Sequence, residues 1–384
     1  MWYSQPRTST VSPTCPWRSV TATTLWLIAA LTYFAVSAWA TTNQQQTRDD
    51  GAHGWEEVWR IELSRGVSAD PTSVDSTLLV ASLDRNLHAV KPGSEPRVAW
   101  KENLRGGFEA APFALHDRLI LAEMGVEGRL VALTLGTHEV AWSVRLGDLV
   151  ARPFVEGNWI YAVTSTGRVA AISDEGVERW RIELETRVVS SPVVLDDALV
   201  LAASDGTLFA LDPETGVVRE RVDPGTGPIW GDPAILERPE EGPLAIYATL
   251  SGQLFALTSE LEVVGRRSFP SRFFAGPRFD GGFLYLAGHE GAIWAYEWDG
   301  AEVRWDRELP GVLRSTPAVN ERSVAVGDLG GTLYVLDRDT GELRWHTRLD
   351  GAITSSPLVE GTVLYVATEQ GSLYAFRPTT PASR

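Results

Sequence analysis

The chain predicts an all-β fold, an eight-bladed β-propeller of four-stranded antiparallel blades, from three recurrences that share one period of about 40 residues. Tryptophan marks the first: Trp59, Trp100, Trp142, Trp180, Trp305 and Trp345 fill six of eight equivalent slots, with Glu220 and Gly265 in the other two. Proline marks the second, at Pro71, Pro112, Pro153, Pro192, Pro233, Pro277, Pro317 and Pro357. Each proline has a small residue two positions earlier and an apolar one four positions earlier, as in Val188, Ser190 and Pro192. The third is a turn before a strand, as in "SDGTLFALD" and "LGGTLYVLD". Its glycine recurs from Gly128 to Gly371, and Asn86 stands there in the first unit. Gly and Asn accept the positive φ of such a turn.

Each unit then holds four short strands. In the fourth these are "SSPVVL", "ALVLAAS", "GTLFALD" and "VVRERV". Near-continuous apolar runs fit a blade covered on both faces by its neighbours. Proline cannot donate to a ladder and small residues suit a crowded axis, so the first strand of each unit is expected to line the central channel. The last unit lacks a fourth strand, and the first is preceded by a spare one, "EEVWRIEL". That N-terminal strand is expected to complete the last blade, which closes the ring and removes two free sheet edges.

Outside the propeller, expected over residues 55–380, the sequence predicts two further segments. An apolar run at residues 24–40 ends in Ala38-Trp39-Ala40 and follows a positively charged stretch, the layout of an exported leader. Residues 1–40 are therefore expected to be a signal peptide cut after Ala40, or an N-terminal anchor that tethers the chain to a membrane through residues 25–40. Residues 41–54, "TTNQQQTRDDGAHG", read as a flexible linker. These features place the chain in the periplasm or another extracytoplasmic compartment.

Charge and cysteine count narrow the function classes. The net charge of −16 repels phosphate backbones, so no nucleic-acid partner is expected. Cys15 is the single cysteine, which excludes an internal disulfide and a cysteine zinc site. The six histidines show no ligand spacing, and no hydrolase, metalloprotease or phosphate-loop motif occurs. No cofactor, metal or catalytic residue is expected, and a monomer is.

The tryptophans at the repeat positions are expected to be structural, each leaving its blade sideways to dock on the next, with its N–H taken up by a neighbouring turn. The pattern "A-L-D-x-x-T-G" before a tryptophan slot, at Ala210-Leu211-Asp212, Thr215-Gly216 and again at Val335-Leu336-Asp337, Thr340-Gly341, Trp345, resembles the repeat of the pyrroloquinoline-quinone (PQQ)-like propellers. In length, leader and unit count the chain is similar to the BamB-like outer-membrane assembly factors of that family. The resemblance implies a non-catalytic scaffold that binds an envelope protein through loops on one face, with the outer-membrane β-barrel assembly machinery as a candidate partner. BamB proteins are lipid-anchored through a cysteine at the cleavage site, and here Ala40 is followed by Thr41. The alternatives are a PQQ-dependent quinoprotein dehydrogenase and a ligand-binding sensor propeller. Dehydrogenases of the family bind PQQ with calcium on the axis, many under a disulfide of adjacent cysteines that this sequence cannot form.

Candidate partner-binding residues stand where the repeat is broken by size or charge. Trp230 in "PIWGDP" and Phe274 in "SRFFAGP" occupy a rim slot that holds Ser68, Glu109, Val150, Val189, Arg314 and Thr354 in the other units. Two large aromatics on adjacent blades, with Arg272 and Arg314 beside them, form a candidate partner anchor.

Overall fold

The computed structural model describes residues 54–63 and 66–379, and among these it contains 32 strands and no helix. The leader expected over 1–40, and all but the last residue of the linker expected over 41–54, lie outside the described residues. The strands form eight four-stranded antiparallel sheets. Seven are continuous in sequence, at 72–103, 113–145, 154–183, 193–222, 234–268, 278–308 and 318–348, and are numbered blades 1 to 7. Blade 8 combines 358–378 with β1 (Trp55–Glu62). The expected closure is present: β1 pairs with β32 (Ser372–Pro378) from Trp55 opposite Pro378 to Glu62 opposite Ser372.

Burial follows strand position. The four strands of a blade are a to d from the axis outwards. In blade 1, strand b is β3 (Thr77–Ala81) and every residue of it is buried. Strand d, β5 (Arg97–Asn103), is exposed or half-buried throughout and carries the charge. Cores lie between blades rather than within them: Tyr285, Ile293 and Trp305 of blade 6 share one cluster with Val324, Tyr334 and Leu336 of blade 7. The prolines precede strand a instead of lying in it. Pro192, for example, is followed by β14 (Val193–Leu195). The missing N–H thus falls where the chain arrives at the channel, ahead of the first ladder bond.

The tryptophan slots share one construction. In all eight blades the c–d ladder carries a bulge beside the slot. The strand c residue opposite is alanine, except Val335 opposite Trp345. A bulge bends its strand and re-aims a side chain, and alanine leaves room for the indole to turn across. Trp305 Nε1 donates to the Arg338 carbonyl of blade 7 at 2.8 Å, Trp180 to Pro213 of blade 4 at 2.9 Å, and Trp142 to Asp174 of blade 3 at 2.8 Å. Under Trp305 lies Gly341, at φ +67°, where a Cβ would come within 2.5 Å of the ring. The Thr-Gly of the repeat is therefore the seat of the preceding blade's indole.

Where a blade lacks one partner, another residue fills the gap. His138 takes the turn-glycine place in blade 2 at φ +62°, and its ring stacks on Trp100 at 4.1 Å. Gly265 lacks the indole of its slot, and Trp298 of the blade 6 turn lies where a Cβ on Gly265 would approach within 2.8 Å. Beside the Glu220 slot, Leu261 of blade 5 is buried at φ +58° and joins the cluster between blades 4 and 5. Trp345 packs on Phe376 of blade 8 at 5.3 Å, in a cluster that includes Trp55 of β1.

Candidate functional site

The connections from strand d of one blade to strand a of the next share one face of the ring with the b–c turns, because strand a starts there. A backbone hydrogen bond joins each connection to the b–c turn of its own blade. Ser204 N–H donates to the Arg187 carbonyl and His289 N–H to that of Arg272, both at 2.8 Å, and equivalent bonds occur in all eight blades. Each connection is thus fixed against a rigid turn. The apolar residue four before each proline is buried in every blade, from Val67 to Ile353. Its successor consequently faces the channel mouth, a cavity of about 1250 Å³.

Eight successors line that mouth: Ser68, Glu109, Val150, Val189, Trp230, Phe274, Arg314 and Thr354. Its two halves differ. Trp230 and Phe274 meet edge to face with centroids 5.8 Å apart. The Arg187 guanidinium lies over Trp230 at 5.9 Å and that of Arg314 over Phe274 at 4.7 Å, so blades 4 to 7 carry a continuous cation–ring–ring–cation row. Glu369, Asp70 and Glu109, on blades 8, 1 and 2, line the opposite side.

Of the four residues singled out by sequence, the structure brings Trp230, Phe274 and Arg314 together and leaves Arg272 outside the cavity lining. Arg272 is held by Glu290, Nε to Oε1 at 2.6 Å. Desolvation opposes the charge on Glu290, but bonds from the Ser271 hydroxyl and from the Arg272 N–H and guanidinium hold its carboxyl down to about 2. Arg187 was not singled out, although it occupies the same slot as Arg272, five residues before the proline. The difference lies in the b–c turn. The blade 4 counterpart of Glu290 is Asp205, one methylene shorter and already bonded to the Thr207 N–H. Arg187 is therefore left to the mouth.

Below the row, residues just before the prolines bond from blade to blade. Arg152 N–H donates to Ser191 Oγ at 3.1 Å and Ser191 N–H to Asp232 Oδ1 at 2.7 Å. Thr316 N–H donates to Ser356 Oγ at 3.2 Å and Ser356 N–H to Asp70 Oδ1 at 2.6 Å. Both carboxylates line the channel cavity, Asp70 half-buried and Asp232 more exposed, with protein on every other side. Desolvation raises both, Asp70 to about 6, against the pull of the serine donors and Arg152. Asp70 therefore binds its proton more tightly folded than unfolded. Its stabilising contribution is complete below about pH 4 and is lost as pH rises through about 6. Asp70→Asn keeps an oxygen for Ser356 and removes the ionisation. Its melting temperature is expected to match the parent at pH 3.5 and to exceed it at pH 7.5, as measured by calorimetry.

These groups do not gather into a cofactor site. Asp70 and Asp232 stand on blades 1 and 5, across the ring, and each is engaged by a backbone N–H. Among the described residues no three of His, Cys, Asp and Glu come together as a metal cage. Dispersed in this way, the residues present do not fit a calcium-held quinone on the axis.

Known proteins fall on the same architecture. Outer membrane protein assembly factor BamB of Escherichia coli is 32% identical over 130 residues, 32% of this chain and 33% of its own length. The aligned part thus spans a third of that relative. A crystal structure of BamB from Moraxella catarrhalis superposes with a TM-score of 0.69 at 18% identity, over 84% of this chain and 99% of that one. A europium-containing methanol dehydrogenase reaches 0.68 at 13% identity, over 84% of this chain and 93% of its own, a likeness of fold alone. The family model described as outer membrane protein assembly factor BamB matches residues 47–149, 126–230 and 302–381. Those stretches cover more than half the sequence and include both Trp230 and the closing strand, and by that measure the chain belongs to the BamB family.

Proposed function

We propose that this protein is a non-catalytic scaffold of the cell envelope, a BamB-like factor in outer-membrane protein assembly that holds a protein partner at the channel mouth. The observation that carries the reading is the aromatic pair at the mouth, Trp230 exposed and Phe274 half-buried. Trp230 is 40% exposed in a ring whose other large aromatics are mostly buried, and it stands with Phe274 on rigid connections. Large aromatics flanked by arginine are the residue types that dominate binding energy at protein interfaces. Family membership supports an extracytoplasmic setting and a partner within the assembly machinery. The dispersed channel carboxylates argue for a scaffold over a dehydrogenase.

A Trp230→Ala, Phe274→Ala double variant is expected to fold with an unchanged melting temperature. It should lose tenfold or more of the partner recovered by crosslinking and affinity capture from envelopes, about 1.4 kcal/mol or more of binding. Undiminished recovery with a normal fold would refute the assignment. Added PQQ and calcium are expected to leave neither retained quinone absorbance nor dye-linked alcohol oxidation.

A further inference from the structure

We propose that the row Arg187–Trp230–Phe274–Arg314 takes an extended acidic segment of a partner protein, with two carboxylates placed either side of one large apolar residue, aromatic by preference. This rests on the scaffold reading and adds the chemistry of the partner. Among the described residues no carboxylate pairs with Arg187 or Arg314, whereas outer-strand arginines such as Arg145, Arg181 and Arg344 hold a carboxylate. Each guanidinium instead lies against a ring, which orients its plane and leaves its N–H edges for a ligand.

The spacing fits a strand. Two rings separate the guanidiniums, through steps of 5.9, 5.8 and 4.7 Å. Four residues of extended chain span about 13 Å, and alternate side chains share a face. Carboxylates at positions i and i+4 then reach one arginine each, while the residue at i+2 lies on the aromatic pair. The net charge of −16 does not oppose this at close range. In 0.15 M salt the Debye length is about 8 Å, so charges on the outer strands are screened at the mouth while bidentate contacts are not. Glu369, Asp70 and Glu109 on the far side would repel the segment there and confine it to blades 4 to 7, where the one lining carboxylate, Asp232, is taken up by the Ser191 N–H.

The test uses the whole exported chain and three fluorescein-labelled heptapeptides read by anisotropy: Ser-Asp-Ser-Phe-Ser-Asp-Ser, its lysine counterpart Ser-Lys-Ser-Phe-Ser-Lys-Ser, and Ser-Asp-Ser-Ser-Ser-Asp-Ser. The first is expected to bind, the second not to bind, and the third to bind about tenfold more weakly than the first. An Arg187→Gln, Arg314→Gln variant with unchanged melting should weaken the first by about tenfold or more. Equal binding of the acidic and basic peptides, indifference to the arginine replacements, or no binding of the first peptide would overturn the proposal. So would self-association that the same replacements abolish, since the occupant would then be a second copy. If the lysine peptide binds and Trp230→Ala, Phe274→Ala removes it, the mouth is still a docking surface and only the charge assignment fails. If no peptide binds and the aromatic variant captures its partner normally, the scaffold reading fails as well.

Discussion

Removing the closing strand, so that the chain starts at residue 66, is expected to abolish cooperative unfolding. Blade 8 would lose its outer strand, and with it Trp55 and Trp59, both buried. Truncating one buried tryptophan costs about 3–5 kcal/mol, and a whole domain is stable by about 5–15 kcal/mol. The loss of two, together with the β32 ladder, therefore takes most of the available stability. It also leaves β32 as a free edge, open to pairing between molecules. Near-ultraviolet circular dichroism during a thermal scan should show no sharp transition, and light scattering should rise. A synthetic peptide of residues 54–65 added to the truncated chain should restore the transition. A shortened chain that melts cooperatively without the peptide would contradict the closed ring.

Trp305→Ala should cost about 3–5 kcal/mol by itself. The indole is 6% exposed, fills the cluster between blades 6 and 7, and donates to the Arg338 carbonyl. Trp305→Phe keeps much of the contact but leaves that carbonyl without its donor, so a smaller loss of about 1–2 kcal/mol is expected. Trp142→Ala should fall below Trp305→Ala, because Trp142 is only half-buried. Denaturant midpoints at constant m-value are the measurement. Equal losses at Trp142 and Trp305 would mean that burial is not what sets the size of the effect.

Blade number, closure and the channel-facing slot were legible in the sequence because they rest on features that geometry repeats eight times. A proline ahead of strand a, a turn glycine and a sideways indole recur in nearly every blade, so a chance match at one position is corrected by the others. What could not be read were compensations confined to single interfaces. Gly265 looks like a defect until Trp298 of the next blade is seen over it, and His138 looks unrelated to the glycines whose place it takes. The mouth was half-legible. Trp230 and Phe274 departed from a slot of mostly polar or smaller residues that also holds Arg314, whereas the fates of Arg187 and Arg272 depend on whether a turn carboxylate one methylene longer or shorter waits beside them. Such differences arise in three dimensions and leave no period to detect.

The manner of closure has a kinetic consequence. The bond from Arg377 to Glu56 joins residues 321 positions apart, although seven of the eight sheets are built from neighbouring sequence. Strand β1 is synthesised before its partner by nearly the whole length of the molecule, and it carries Trp55 and Trp59 unpaired for that interval. Closing so long a loop adds entropy that the local hairpins do not face. The final blade should therefore form last and set the rate of maturation, with the first strand unsheltered until β32 arrives.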